Sequence, residues 1–282
     1  MLSDKVMTDR IQEFSGFQEA GGRLLAVAAQ VARDAGAFLL EQEGRVSYRK
    51  KGARDLVTDA DLGAQQMILE GIRGEFPDHG FLGEEGDAID ADELFSSKSH
   101  VWVVDPLDGT TNFVHNMPHY GVSVALMIDG QPHIGVVYQP HRDELFQAVA
   151  GAGAFLGDQR LQVSQCEDLE ESLIAISFSA KVSANSIEIE HFLRILQAAQ
   201  AVRRIGSAAL NLAYLASGRF DAYWARNGKI WDVAAGILLV HEAGGVVTGA
   251  TGEPFDREFP HIIGAATPDL HRLLLELVAP NA

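Results

Sequence analysis

The chain has 282 residues and a formal net charge of −17, with 47% hydrophobic and 22% charged residues. This composition belongs to a folded globular protein with a substantial core and excludes a disordered chain. A surface so acidic repels polyanions, so no nucleic acid is expected as a partner, and a small anionic substrate would need cations to bridge it to the protein's acids.

Cys166 is the only cysteine, which excludes an internal disulfide and a zinc–thiolate cluster. The first residues, MLSDKVMTDRIQEF, lack the apolar core of a signal peptide. The longest apolar runs, such as residues 234–240, are far too short to span a bilayer. The expectation is a soluble, cytoplasmic protein with no membrane partner.

In chain order, residues 1–19 read as a short helix or a loose arm. Residues 22–43 predict a helix, with Leu24, Val27, Ala28, Val31, Ala35, Phe38 and Leu39 on one stripe. Residues 46–51 suit a strand. Thr58 with Asp61 three residues on has the pattern of a helix start, and Leu62, Gln65, Leu69, Ile72 and Phe76 keep step to about residue 76. Strands 121–128 and 133–138 flank Asp129-Gly130, a hairpin signal. Strands 144–149 and 154–163 follow, the second broken at Gly157-Asp158, and this middle part reads as an antiparallel meander. Beyond about residue 165 strands and helices alternate: strand 173–178, helix 187–199, strand 202–205, helix 207–216, strand 220–224, helix 231–243 ended by Gly244-Gly245, strand 262–266 and helix 268–278. Two closely packed halves, 1–164 and 165–282, are expected, without repeats or a linker.

The stretch VWVVDPLDGTTNF at 101–113 carries the strongest signal. A buried strand runs into Asp105 and Asp108, at the sheet edge where α/β proteins bind ligands. Pro106 should stop the strand, Gly109 permits a tight turn, and a helix can begin at Thr110 and Thr111. Paired acids beside a possible helix N-terminus suggest a metal site with an anion next to it. The acids repel each other unless a cation lies between them, and the absence of nearby Cys or His favours Mg²⁺ over zinc.

Asp61, Glu84 and Asp232 are further candidates. Asp61 and Asp232 also suit a plain role as acids in a first helical turn. Glu84 and Glu85 point to opposite faces if their segment is extended, and the residues alone do not choose between them. His115 and His119 lack the surroundings of a zinc helix, with Pro118 between them. No GxSxG and no phosphate-binding P-loop occurs.

DPLDGTTNF at 105–113, GEE at 83–85 and WDVAAG at 231–236, with DLVT at 55–58 and EAGG at 242–245, resemble the inositol monophosphatase family in order and spacing from about residue 22 to 278. These are Mg²⁺-dependent, lithium-sensitive phosphomonoesterases, often homodimeric. The resemblance implies an α+β fold with αβαβα layers, an antiparallel N-terminal sheet and a mixed C-terminal sheet. It implies two to three Mg²⁺ ions. Glu84, Asp105 and the Leu107 carbonyl would hold the first, and Asp105, Asp108 and Asp232 the second. Glu84 with waters would hold a weaker third. The N–H groups of Gly109 and Thr110 would face the phosphate, while Glu84 and the Thr110–Asp61 pair would orient the attacking water.

The resemblance also marks where selectivity should lie. Inositol-selective members carry an acid seven residues before the WD aspartate, and here that position is Ala225. Gly206, Ser207 and Ala208 match the family's substrate-side loop, and Arg226 and Lys229 could add positive charge. Lys50 or Lys51 could approach the metals. The expected substrate is a small phosphorylated metabolite of the inositol, polyol or sugar type. Histidinol phosphate, fructose 1,6-bisphosphate and nucleotide 3′-phosphates are alternatives, the last disfavoured by TTNF in place of GTKEF. A non-catalytic partner of the transcription or ribosome machinery is the alternative class.

Overall fold

A computed structural model describes residues 2–45, 48–50, 56–85, 90–178, 182–226, 228–254 and 261–279, without the side chains of 2–11, 48–50 and 56. Helix α1 (Leu2–Gln42) takes in both the expected helix and the segment before it, bent at Gly22, whose φ of 50° only glycine adopts readily. Its buried stripe is Leu25, Ala28, Ala32, Ala35 and Leu39. The expected strand at 46–51 is described only as β1 (Tyr48–Lys50), paired antiparallel with β2 (Leu56–Thr58). Lys51 and the side chain of Lys50 lie outside the described residues.

Helix α2 (Asp59–Glu75) starts where the Thr58/Asp61 pattern placed it. The Thr58 hydroxyl accepts from the Asp61 N–H, and the Asp61 carboxylate accepts from the Thr58 N–H at 2.7 Å, a reciprocal capping box. Then come β3 (Gly80–Gly83), α3 (Ala91–Ser97), β4 (His100–Asp108), α4 (Thr110–Val114), β5 (Gly121–Ile128), β6 (Gln131–Gln139), β7 (Glu144–Val149), β8 (Gly153–Leu156) and β9 (Gln159–Arg160). The turn between β5 and β6 uses Asp129 and Gly130, both at positive φ, as its sequence predicts. Helix α3 was not legible because no residue in it is buried, so no apolar stripe marks it.

Strands β3 to β9 form one sheet in sequence order. The pairs from β4 to β9 are antiparallel, as expected. The sheet is not wholly antiparallel, however. Strand β3 joins β4 in parallel, because the connection through α3 returns the chain to run beside β3 in the same direction.

The later elements are β10 (Leu173–Ser177), α5 (Ile187–Ala198), β11 (Ala201–Arg203), α6 (Ala208–Ala216), β12 (Ala222–Ala225), α7 (Ile230–Glu242), β13 (Val246–Thr248), β14 (Ile262–Ala265) and α8 (Pro268–Val278). The second sheet has the order β11-β10-β12-β14-β13. It is mixed, parallel around β10 and antiparallel around β14.

Side-chain alternation sorts the layers. Trp102 and Val104 of β4 join α1 and α2 in one core, while Val101 and Val103 point into a second core with α6 and α7. Tyr223 and Ala225 of β12 share that second core, and Ala222 and Trp224 face a third, under α8. The resulting order is helices, seven-stranded sheet, α6 and α7, five-stranded sheet, then α5 and α8. The middle helices have both flanks covered, which explains why α6 and most of α7 are buried all round. Helix α7 lies close against β6: a Cβ at Gly135 would stand 2.7 Å from the Ala235 carbonyl oxygen. Among the described residues no helix is long and apolar enough to cross a membrane.

Candidate active site

The site begins at an irregularity in β4. Asp105 pairs with Ser123 of β5, but Asp108 pairs with Gly121. Three steps on one strand match two on the other, so one extra residue is accommodated at Pro106-Leu107 as a bulge. Pro106 does not end the strand as expected. It falls where the ladder is already interrupted and an N–H is not needed. In an unbroken strand, residues three apart face opposite sides. Here both carboxylates face α6 and α7. Ser123, opposite Asp105, donates from Oγ to the Trp231 carbonyl at 3.0 Å. Asp108 Oδ2 accepts from Ser207 Oγ and from the Ala209 N–H, each at 2.6 Å. The Leu107 side chain turns the other way, into the core under α1 and α2.

Glu84 follows β3 directly, and its N–H donates to the Val104 carbonyl at 3.1 Å, so it emerges beside the end of β4. The turn is clamped from α2. Gln65 Oε1 accepts from the Glu85 N–H at 2.9 Å, and Gln65 Nε2 donates to the Glu85 carbonyl. Asp61 is fully buried. Besides its cap it accepts from Thr110 Oγ1 at 3.2 Å, and that hydroxyl also lies 3.2 Å from the Leu107 carbonyl. Asp61 therefore combines the helix cap with a bond from the start of α4. Thr110 opens α4 directly after Gly109, whose φ of 105° and closeness to the His119 carbonyl suit glycine alone.

Asp232 occupies the third position of α7, where Oδ2 accepts from the Lys229 N–H at 3.0 Å. Glu84, Asp105, Asp108 and Asp232, carried on three separate elements, thus converge electrostatically. Burial, then Glu84, Asp108 and Asp232, hold the Asp105 carboxyl well above the usual range. Burial, then Asp108, does the same to Asp232. Asp108 is pushed up to about 6 by burial, against the opposing bonds from Ser207 and Ala209. Burial also raises Asp61, against the bonds from Thr58 and Thr110.

Asp105 and Asp108 are buried and Glu84 and Asp232 half-buried, and carboxylates clustered so are costly unless a cation compensates them. The donor set is all oxygen, with no thiolate or imidazole, which suits a hard divalent cation. In Asp105, Asp108 and Asp232 one oxygen is already tied by a local donor: the Leu107 N–H at 2.9 Å, the Ser207–Ala209 pair, and the Lys229 N–H. Such bonds fix carboxylate orientation. Among the described residues no three acids or imidazoles are already drawn around a single point. The fit rests on donor chemistry and mutual charge.

Beside Asp108 and Asp232 opens a cavity of about 180 Å³. Four of the five residues expected on the substrate side line it: Gly206, Ala208, Ala225 and Arg226. Ser207 is instead committed to Asp108 and to capping α6. Sequence reading missed Arg204, Ser177 and Tyr223, which also line the cavity. It missed Gln65 as well as Asn112, whose Nδ2 donates to the Ile205 carbonyl at 2.7 Å and ties the 205–208 loop to α4. Asn112 stands within the quoted motif, so its position was a signal. Nothing about residue type or spacing marked Gln65 or Arg204.

The chain matches the inositol monophosphatase family over residues 22–281. It is 40% identical over 254 residues to the inositol-1-monophosphatase of Caulobacter vibrioides, covering 88% of this chain and 97% of that protein. It is 39% identical over 266 residues to the Nus factor SuhB of Pseudomonas aeruginosa, covering 92% and 96%. Among solved structures, the extragenic suppressor protein suhB of Bartonella henselae superposes with a TM-score of 0.86 at 36% identity, covering 93% of this chain and all of that one.

Proposed function

This chain belongs to the inositol monophosphatase family, and we propose on that basis that it is a Mg²⁺-dependent phosphatase hydrolysing a small phosphate monoester by direct attack of water. The family is metal-dependent in general. The single observation that carries the reading is the bulge in β4, which turns Asp105 and Asp108 to one face beside Asp232.

In this reading Glu84, Asp105 and the Leu107 carbonyl would hold one ion, and Asp105, Asp108 and Asp232 another, with Glu84 contributing to a weaker third. When bound, Mg²⁺ supplies an acidified water near neutral pH and offsets charge on the transferring phosphoryl group. Glu84, and Thr110 paired with Asp61 at 3.2 Å, would orient that water and take its proton. Gly109 and Thr110 stand at the start of α4, where backbone N–H groups lack helical acceptors and suit a phosphate oxygen.

The substrate is of the polyol or sugar phosphate type, as the inositol-1-monophosphatase name of the C. vibrioides relative suggests. Ala225 offers no polar atom to its hydroxyls, so selectivity differs from that of members with an acid there. A phosphate-release screen over inositol, histidinol, fructose and nucleotide phosphates, with and without Mg²⁺ and Li⁺, tests the proposal. Mg²⁺-dependent, Li⁺-inhibited release from at least one of them is expected. Release from none discards it.

The Nus factor name of the P. aeruginosa relative favours a second reading, a role beside the transcription machinery. Specific co-purification of RNA polymerase with this chain, undiminished in an inactive Asp105→Asn variant, would support it. A homodimer in the cytoplasm completes the proposal, and sedimentation equilibrium checks the stoichiometry.

A further inference from the structure

The wall of the cavity beside the carboxylates carries charges of both signs. Asp108 and Asp232 supply the negative ones. Elsewhere in its wall are two guanidinium groups, Arg204 and Arg226. Arg204 lies over the Phe178 ring, 5.6 Å from its centroid, which holds it in place without neutralising it. Arg226 is half-buried, and its Nη2 is 3.0 Å from His261 Nε2. Among the described residues no carboxylate forms an ion pair with either arginine. In a chain of net charge −17, two such arginines in one small cavity stand out from the surface around them.

Their surroundings narrow what they could bind. The same wall includes Ala225, buried and without a polar side-chain atom, and a pair of hydroxyls. Tyr223 donates from its hydroxyl to Ser177 Oγ at 3.0 Å. Hydroxyl groups recognise hydroxyl groups, whereas a planar guanidinium matches a carboxylate or phosphate. A half-buried guanidinium such as that of Arg226, meeting only a neutral part of the substrate, would lose hydration without return, while Arg204 is exposed.

Resting on the phosphatase reading of this site, we propose that the preferred substrate is a hydroxylated phosphate monoester bearing a second anionic group. That group, a carboxylate or a further phosphate, is held by Arg226 with Arg204 while the scissile phosphate lies toward Asp108 and Asp232. The second anion is what distinguishes this substrate class from an uncharged polyol phosphate.

The test compares matched compounds. Glycerol 2-phosphate and 2-phosphoglycerate differ by a carboxylate, and fructose 1-phosphate and fructose 1,6-bisphosphate by a second phosphate. The wild type should prefer the extra anion in at least one pair, by about 10- to 100-fold in kcat/KM. Arg226→Gln should erase most of that ratio, chiefly through KM, and Arg226→Lys should keep part of it. The pair showing the preference identifies carboxylate or phosphate as the second group. No preference in either pair, or a preference unchanged in Arg226→Gln, overturns the proposal. Calorimetric binding of the same compounds with Ca²⁺ separates this result from a failure of the phosphatase reading. Absence of phosphate release, with tighter binding of the extra anion that Arg226→Gln removes, discards hydrolysis and keeps the anion site.

Discussion

Thr110 Oγ1 reaches Asp61 Oδ1 at 3.2 Å across 49 residues of sequence, and so joins the start of α4 to the first turn of α2. The same hydroxyl lies 3.2 Å from the Leu107 carbonyl, at the bulge. One side chain thereby registers the helix cap, the bulge and the turn that follows. If this hydroxyl orients the attacking water, Thr110→Ser should keep activity within about threefold, while Thr110→Val should lose about 100-fold in kcat. Steady-state phosphate release, with thermal unfolding as a control, measures this. Equal rates in the serine and valine variants would remove Thr110 from the chemistry.

Ser207 couples the acids to α6. Its Oγ donates to Asp108 Oδ2 at 2.6 Å and accepts from the Leu210 N–H at 3.2 Å. Ser207→Ala should therefore cost about 1 kcal/mol of stability through the lost cap. It should also raise the Mg²⁺ concentration for half-maximal activity by about 10-fold through a loosened Asp108. Ser207→Thr should rescue both. Mg²⁺ titrations of activity read the second effect, which a purely structural role for Ser207 would not produce.

The raised carboxyls give a pH dependence with a definite sign. Asp108 is pushed up to about 6 from an ordinary value of 3.8, and Asp105 and Asp232 are raised as well. Across that window the folded chain binds more protons than the unfolded one, so stability contributed by these groups falls as pH rises. Without divalent cation, Tm is expected to fall as pH rises from just above 4 through about 6. Mg²⁺ should restore it, and the Mg²⁺-induced rise in Tm should grow with pH. A rise that shrinks with pH would contradict the burial of compensated carboxylates.

Much of this site was legible in the sequence, for local reasons. Thr58 and Asp61 form a capping box whose spacing is visible in any helix start. Asp129-Gly130 dictates its turn through backbone sterics alone. The unreadable part was non-local. Asp105 and Asp108 are three residues apart, which in a regular strand separates them, and only the register against Ser123 and Gly121 shows them on one face. Gln65 looked like one more residue in a helical row, yet its amide clamps Glu85 in another element. Arg204 had no partner in sequence, because the cavity it lines forms only when β10, β12 and the 205–208 loop meet.

The close approach of α7 to β6 ties stability to the site. A Cβ at Gly135 would stand 2.7 Å from the Ala235 carbonyl oxygen and 3.1 Å from its Cα, both backbone atoms that cannot rotate away. Gly135→Ala should cost about 1–3 kcal/mol. Displacing α7 also displaces Asp232, so the Mg²⁺ concentration for half-maximal activity should rise. Denaturant unfolding and Mg²⁺ titration together check this, and a stability loss with an unchanged Mg²⁺ requirement would show that α7 adjusts without moving its first turn.

The most direct measurement is phosphate release by Asp105→Asn at saturating Mg²⁺, on whichever monoester the wild type hydrolyses best, with circular dichroism to verify the fold. Asp105 sits beside Glu84, Asp108 and Asp232 and is the acid shared by both proposed ion sites. Metal-dependent hydrolysis through this cluster predicts a folded protein with kcat reduced about 1,000-fold or more. A folded Asp105→Asn variant that retains activity within about tenfold of the wild type would contradict it.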